Sequence, residues 1–217
     1  MLRLEGVGKV YGNLEVLRDV TLRVNRNEIV TIVGPSGAGK TTLLQIAGTL
    51  ARPDTGKIIY GNDDISGMSD RKLSEFRNRN IGFIFQFHQL LPEFTARENV
   101  ALPAMIGGMS RKAALHKADG LLESVGLSAR KNHRPSEMSG GECQRTAVAR
   151  ALINDPEVVF ADEPTGSLDS ARRDEIKEII AGLRRDLGQT FVIVTHDLSM
   201  NKIADRVIRM EDGRILN

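Results

Sequence analysis

Gly34-Pro35-Ser36-Gly37-Ala38-Gly39-Lys40-Thr41-Thr42 is the stretch that decides how this chain folds. Its spacing is G-x-x-x-x-G-K-[ST], a phosphate-binding P-loop. The flanks supply the context that the loop needs. Glu28 to Val33 is a short β-branched run that reads as a buried strand, and Thr42 to Ala47 continues as a helix. Glycines let the backbone wrap a phosphate with φ values other residues avoid, so that successive N–H groups point inward. The helix behind the loop adds the positive end of its dipole. In such a loop Lys40 reaches the β- and γ-phosphates and the Thr41 hydroxyl faces Mg²⁺. A glycine-rich turn that binds nothing is the plainer alternative, and the strand–loop–helix order argues against it. The stretch reads as a nucleoside triphosphate site.

Working outward, 217 residues suit one domain with room for a subdomain and a large core. A net charge of +2 is too small to imply a nucleic-acid surface. The pairs Arg71-Lys72, Arg77/Arg79, Arg111-Lys112 and Arg130-Lys131 are scattered and read as solvated faces. The single cysteine, Cys143, excludes an internal disulfide and fits a reducing compartment. The first residues lack the apolar core of a signal peptide, and no apolar run approaches the length of a membrane span. The expectation is a soluble, cytoplasmic chain without membrane insertion, whose membrane role, if it has one, comes through a partner.

Along the chain, Leu2 to Tyr11 and Val16 to Val24 alternate around Gly12-Asn13 as antiparallel strands with one wet face. Lys57 to Tyr60 and Ile81 to Phe85 read as strands, Gly61 to Gly67 as a polar loop and Ser69 to Asn78 as a charged helix. From Thr95 to Ile153 no strand is predicted. There Ala113, Ala114, Leu115, Ala118, Leu121, Leu122 and Val125 share one face of a helix that Ser110 can cap. Strands return at Glu157 to Ala161 and Thr190 to Val194. Between them lies an amphipathic helix marked by Ile176, Ile179, Ile180, Leu183 and Leu187 and ending at Gly188. Arg206 to Met210 pairs with Arg214 to Leu216 across Glu211-Asp212-Gly213. The predicted fold is α/β: a P-loop NTPase (RecA-like) core with an N-terminal antiparallel β subdomain, spanning 1–94 and 154–217. A helical subdomain, 95–153, is inserted into it.

Two further stretches bear on phosphate chemistry. Met138-Ser139-Gly140-Gly141-Glu142 opens a helix over Cys143 to Leu152, either as a second anion site or simply as a flexible N-cap. Val158 to Phe160, with Ala161, is an apolar strand ending in Asp162-Glu163. With these three motifs in order, the chain resembles the ATP-binding subunit of ABC transporters from near its first residue to its last. Met138 to Glu142 resembles the signature motif, usually Leu-Ser-Gly-Gly-Gln, and Asp162-Glu163 resembles the Walker B carboxylates. Met138, Glu142 and Cys143 depart from the commonest pattern but leave Ser139 and both glycines in place.

The resemblance implies further assignments. Tyr11 stands where the family stacks an aromatic on adenine, with a strand-edge tyrosine as the plainer alternative. Gln86 resembles the Q-loop glutamine that touches Mg²⁺ or water, or is a surface glutamine. Ser167-Leu168-Asp169 resembles the D-loop, unless Asp169 only caps the next helix. His196 resembles the switch histidine; His88, His116 and His133 match no motif and read as surface residues. The resemblance further implies that Asp162 and Thr41 hold Mg²⁺, that Glu163 is the general base, and that His196 hydrogen-bonds the γ-phosphate. By the same resemblance Ser139, Gly140 and Gly141 bind ATP on the opposite subunit's P-loop, so that ATP closes a homodimer attached to integral membrane subunits. Phe87 to Val100 falls where the family receives those subunits, unless its apolar side chains merely pack the helical subdomain. Within the family this loop is most similar to that of lipoprotein-releasing exporter ATPases. Macrolide or peptide exporters and a cell-division ATPase that signals without transport are the alternatives. A GTPase or small-molecule kinase leaves Ser139 to Gly141 unexplained, and Asn201 to Asp205 misses a guanine-reading Asn-Lys-x-Asp by one position.

Overall fold

A computed structural model describes residues 1–216. Ten strands and six α-helices form two sheets with helices between and behind them. β1 (Leu2–Tyr11), β2 (Leu14–Val24), β4 (Thr55–Tyr60) and β5 (Asp63–Asp64) make an antiparallel sheet in the order β2-β1-β4-β5. β5 lies inside the stretch expected to be a plain polar loop. Tyr60 pairs with Asp63 and Ile59 with Asp64, because Gly61 takes φ 61 and closes a tight hairpin.

The second sheet has the order β10-β9-β3-β8-β7-β6. Its members are β3 (Ile29–Val33), β6 (Ile81–Phe85), β7 (Val158–Asp162), β8 (Thr190–Val194), β9 (Arg206–Glu211) and β10 (Arg214–Leu216). All neighbours are parallel except the terminal hairpin of β9 and β10, whose turn uses Asp212 at φ 45 and Gly213 at φ 78. A parallel sheet must be covered on both faces, and the side-chain alternation divides accordingly. Val30, Ile32, Val158, Phe160, Val192 and Val194 face a core shared with α1 (Lys40–Ala47) and the antiparallel sheet. Ile29, Val159, Ala161, Phe191 and Ile193 face a second core. That core is built with α3 (Ala96–Ile106), α4 (Arg111–Ser124), α5 (Gly140–Leu152) and α6 (Ser170–Leu187). α2 (Asp70–Asn80) leads into β6.

The helical stretch holds no strand, as expected, and its helices begin where the sequence puts caps. Ser110 accepts from the Ala113 amide, and Thr95 and Ser139 each form a reciprocal capping box with the glutamate three residues on. Two side chains differ from the periodicity reading. Ala113 is exposed in the first turn of α4, ahead of the buried stripe Ala114, Ala118 and Leu122. Leu187 is 67 % exposed because Gly188, at φ 65, ends α6 there and turns the chain away. Glu157 also lies outside β7 and is exposed, whereas Asp162 belongs to it.

Candidate functional site

In a parallel sheet the chain leaves every strand at the same edge, where ligands bind in open α/β folds. Here four such exits converge: the P-loop after β3, Asp162-Glu163 at the end of β7, Thr195-His196 after β8 and Gln86 after β6. The P-loop is wedged rather than free. Gly39 has φ 92, and a Cβ on it would lie 2.7 Å from the Val16 carbonyl oxygen of β2. A Cβ on Gly34 would lie 2.0 Å from the Met210 carbonyl oxygen of β9. Only glycine allows the loop to be this close to both sheets.

The loop bounds a cavity of about 510 Å³ whose other walls are Leu14 and Val16 of β2 and Glu163, Val194 and His196. Lys40 Nζ donates to the Gly34 and Pro35 carbonyls, 2.8 Å each, so its ammonium is held across the loop. The first amides of α1 have no intrahelical acceptor. Cationic donor, free amides and dipole end together fit a polyphosphate. Thr41 Oγ1 donates to Asp162 Oδ1 at 3.3 Å. Burial raises the Asp162 pKa; the Thr41 hydrogen bond opposes this, Glu163 reinforces it and Lys40 opposes it. Among the described residues no group of three or more His, Cys, Asp or Glu side chains gathers as a metal cage. A magnesium ion here would take oxygens from Thr41 and Asp162, from Gln86 directly or through water, and from phosphate and water, which suits that ion.

Glu163 is the most constrained carboxylate of the site. It sits at φ 48, in the left-handed region, with its amide bonded to the Val194 carbonyl at 2.9 Å. Its Oε1 lies 2.8 Å from His196 Nδ1. Its Oε2 accepts from Thr195 Oγ1 at 3.1 Å and from the His196 amide at 3.2 Å. Both oxygens are thus gripped by the loop after β8, and a proton on His196 Nδ1 directs Nε2 of the ring away from Glu163. Thr195 is fully buried and escaped the sequence reading: a threonine closing a β-branched strand looks like more strand.

Other expected residues stand around this centre. Tyr11 ends β1, is 48 % exposed and lies outside the cavity lining, with Lys9 Nζ 5.2 Å from its ring centroid and 2.9 Å from Asp54. Gln86 leans on the D-loop: its carbonyl accepts from Ser167 Oγ at 3.2 Å, and its Nε2 would lie 3.1 Å from a Cβ on Gly166. Asp169 caps α6 through the Arg172 amide at 3.0 Å. Ser139 to Gly141 begin α5 outside the lining, with Gly141 closed against Arg172, where a Cβ would meet Cδ at 3.0 Å. Asn201 and Asp205 read no base. Asn201 accepts from Thr31 inside the sheet, and Asp205 accepts from the Ile29 amide. His88 and His133 depart from expectation: both are partly buried, not surface residues.

Comparison with known proteins agrees with this geometry. The ABC transporter family model matches residues 17–166. A Bacteroides thetaiotaomicron protein named lipoprotein-releasing system ATP-binding protein LolD is 56 % identical over 215 residues, covering 99 % of each chain. One of the same name from Porphyromonas gingivalis is 54 % identical over 100 % of this chain and 99 % of its own. Among solved structures, the ATP-binding cassette MJ0796, dimeric in a post-hydrolysis state bound to ADP and Pi, superposes with TM-score 0.92. It is 36 % identical, over 100 % of this chain and 97 % of the other.

Proposed function

This chain belongs to the ABC transporter family as an ATP-hydrolysing subunit, and we propose that it drives the release of lipoproteins from a membrane. The observation that carries the catalytic part is the double grip on Glu163 beside the P-loop. The lipoprotein part rests on the shared name of relatives matched along the whole chain.

In this reading ATP lies along the P-loop, its phosphates met by the amides of residues 34–42 and by Lys40, its base against Tyr11. Magnesium, when bound, neutralises charge on the phosphates; Thr41, Asp162 and Gln86 would hold it, and its charge would favour the ionised form of Asp162 against the burial that raises its pKa. Glu163 takes a proton from the attacking water. His196, fixed by Nδ1 to Glu163, presents Nε2 towards the γ-phosphate. Glu163 thereby orients the histidine and is oriented by it, and positioning is most of what phosphoryl transfer asks of a protein.

Ser139 to Gly141 and Asp169 do not line this cavity, and in this reading they serve a second copy's P-loop. One relative of known structure, MJ0796, is dimeric. Two chains then close on ATP and separate once the γ-phosphate is lost, because the helix N-termini facing it lose their anion. We treat residues 1–94 and 154–217 as the ATP-gripping body and 95–153 as the part that carries the signature. Membrane subunits dock at the loop that joins them, on the exposed side chains of Phe87, Leu91 and Phe94. No helix among the described residues is long and apolar enough to cross a membrane, so in this reading contact with the membrane runs through those subunits on its cytoplasmic face.

The test joins chemistry to cargo. Glu163→Gln should keep nucleotide binding, accumulate as an ATP-bound dimer on gel filtration, and lose 10²- to 10⁴-fold or about that in turnover. The parent, reconstituted with co-purified membrane subunits in proteoliposomes, should release a labelled lipoprotein only with ATP. Parental hydrolysis by the variant removes Glu163 from the mechanism; ATP-dependent export of small drugs, or no transport, removes the lipoprotein.

A further inference from the structure

α5 ends in a cation that has no acid to pair with. Among the described residues Arg150 makes no ion pair, and burial alone accounts for its lowered pKa. Its guanidinium donates instead to two carbonyls of the chain that follows Gln86, His88 O at 2.7 Å and Gln89 O at 2.5 Å. Those carbonyls point at it because both residues take left-handed backbone, φ 56 and φ 49, which is costly for residues with a Cβ. The imidazole of His88 is partly buried beside the Gly140 backbone, with Nε2 unpartnered. Gly140 and Arg150 lie in the first and last turns of one helix, so the short segment 88–89 meets α5 at both ends.

Gln86, two residues earlier, rests on the loop after β7 through Ser167 and Gly166. A helix-dipole role for Arg150 is the simpler account, since a cation favours the last turn of a helix. That role would be met by a side chain facing solvent and needs no strained loop. The observed geometry spends a delocalised, five-donor group on two carbonyls instead.

We propose that Arg150 is a positioning residue that makes the Gln86-to-Gln89 segment and α5 one rigid lever, so that nucleotide sensed at Gln86 reorients Ser139 to Gly141. It rests on the reading that Gln86 contacts the bound nucleotide, but not on the reading that Ser139 to Gly141 act on a second copy. His88 is the second fastening, at the signature end. The lever needs no contact between Arg150 and nucleotide.

Amide hydrogen exchange of residues 140–144 tests it, measured with and without saturating MgATP on the Glu163→Gln chain at a dilution that keeps it monomeric. The nucleotide-dependent change in exchange should disappear in Arg150→Met, survive in Arg150→Lys, and be weakened by His88→Asn, which tolerates the same backbone. The ATP dissociation constant should stay within about twofold, while the ATP concentration that half-dimerises the chain rises about tenfold or more, as expected for losing charge-assisted hydrogen bonds. Should Arg150→Met fail to fold, His88→Asn carries the test. An unaltered exchange response in these variants, or no response in the parent, overturns the lever. Loss of the response in the variants, with a parent that responds but never dimerises, upholds the lever and overturns the two-copy reading instead.

Discussion

At the scale of the residue, the site is built from side chains holding one another in place as much as facing a ligand. Glu163 shows this most directly, because three donors to its carboxylate and the bond from its own amide to Val194 fix a group that in solution would rotate freely. Thr195→Val keeps the shape of a fully buried side chain and removes the hydroxyl, which donates to Oε2 and accepts from the Asp197 amide at 3.0 Å. One hydrogen bond to a charged group contributes about 1.5–3 kcal/mol, so kcat should fall roughly tenfold or more with the Michaelis constant for ATP little changed. A rise in the Michaelis constant at parental kcat would assign Thr195 to binding. The residues legible in the sequence were those whose type is unusual for their place: glycines before a lysine, paired carboxylates ending an apolar strand, a histidine after one. Thr195, Arg150 and His88 were not, since each is an ordinary residue for its element and acquires its role from a partner 32 to 62 positions away.

At the scale of the element, helix boundaries were readable, the end of α6 at Gly188 included, and the exposure of side chains beside them was not. α3, α4 and α5 begin at Thr95, Ser110 and Ser139, each with a side chain accepting from the third amide. Capping is local chemistry, so local sequence reveals it. The exposed Leu187 and the hairpin inside residues 61–67 depend on where the chain turns next, which periodicity does not encode. The cap of α5 also makes a pH prediction. The Ser139 amide, 2.7 Å from Glu142 Oε2, holds that carboxyl below its ordinary pKa despite some burial, and Arg130 at 2.9 Å helps. A depressed carboxylate stabilises the fold fully above the ordinary glutamate range, and that contribution is lost as pH falls through the folded value. Glu142→Gln should therefore lower the melting temperature at neutral pH, by the equivalent of about 0.3–1 kcal/mol for a charge at a helix N-terminus. The gap between parent and variant should close in acid. A gap that is the same at every pH would mean the charge contributes nothing.

At the scale of the whole molecule, the nucleotide edge and the exposed apolar side chains lie on the two sides of one connection. β6 ends at Phe85, Gln86 follows, and Phe87, Leu91 and Phe94 then stand 75 %, 40 % and 38 % exposed. The sequence placed these residues beyond a finished strand and left open whether they pack the helical stretch. The structure gives the packing to the backbone instead. Buried Asn99 accepts from the Leu91 amide at 2.7 Å and donates to the carbonyls of Leu91 and Phe94 at 3.0 and 3.1 Å. The loop is therefore held without its apolar side chains, which are free to meet a partner. Leu91→Asp should leave the loop, the melting temperature and ATP binding close to parental. Burying one leucine contributes roughly 1.5–3 kcal/mol, so a carboxylate in its place should weaken docking to the membrane subunits at least about tenfold and abolish any turnover they stimulate. Co-purification of the variant with membrane subunits at parental stoichiometry, with transport intact, would move the docking surface elsewhere on the chain.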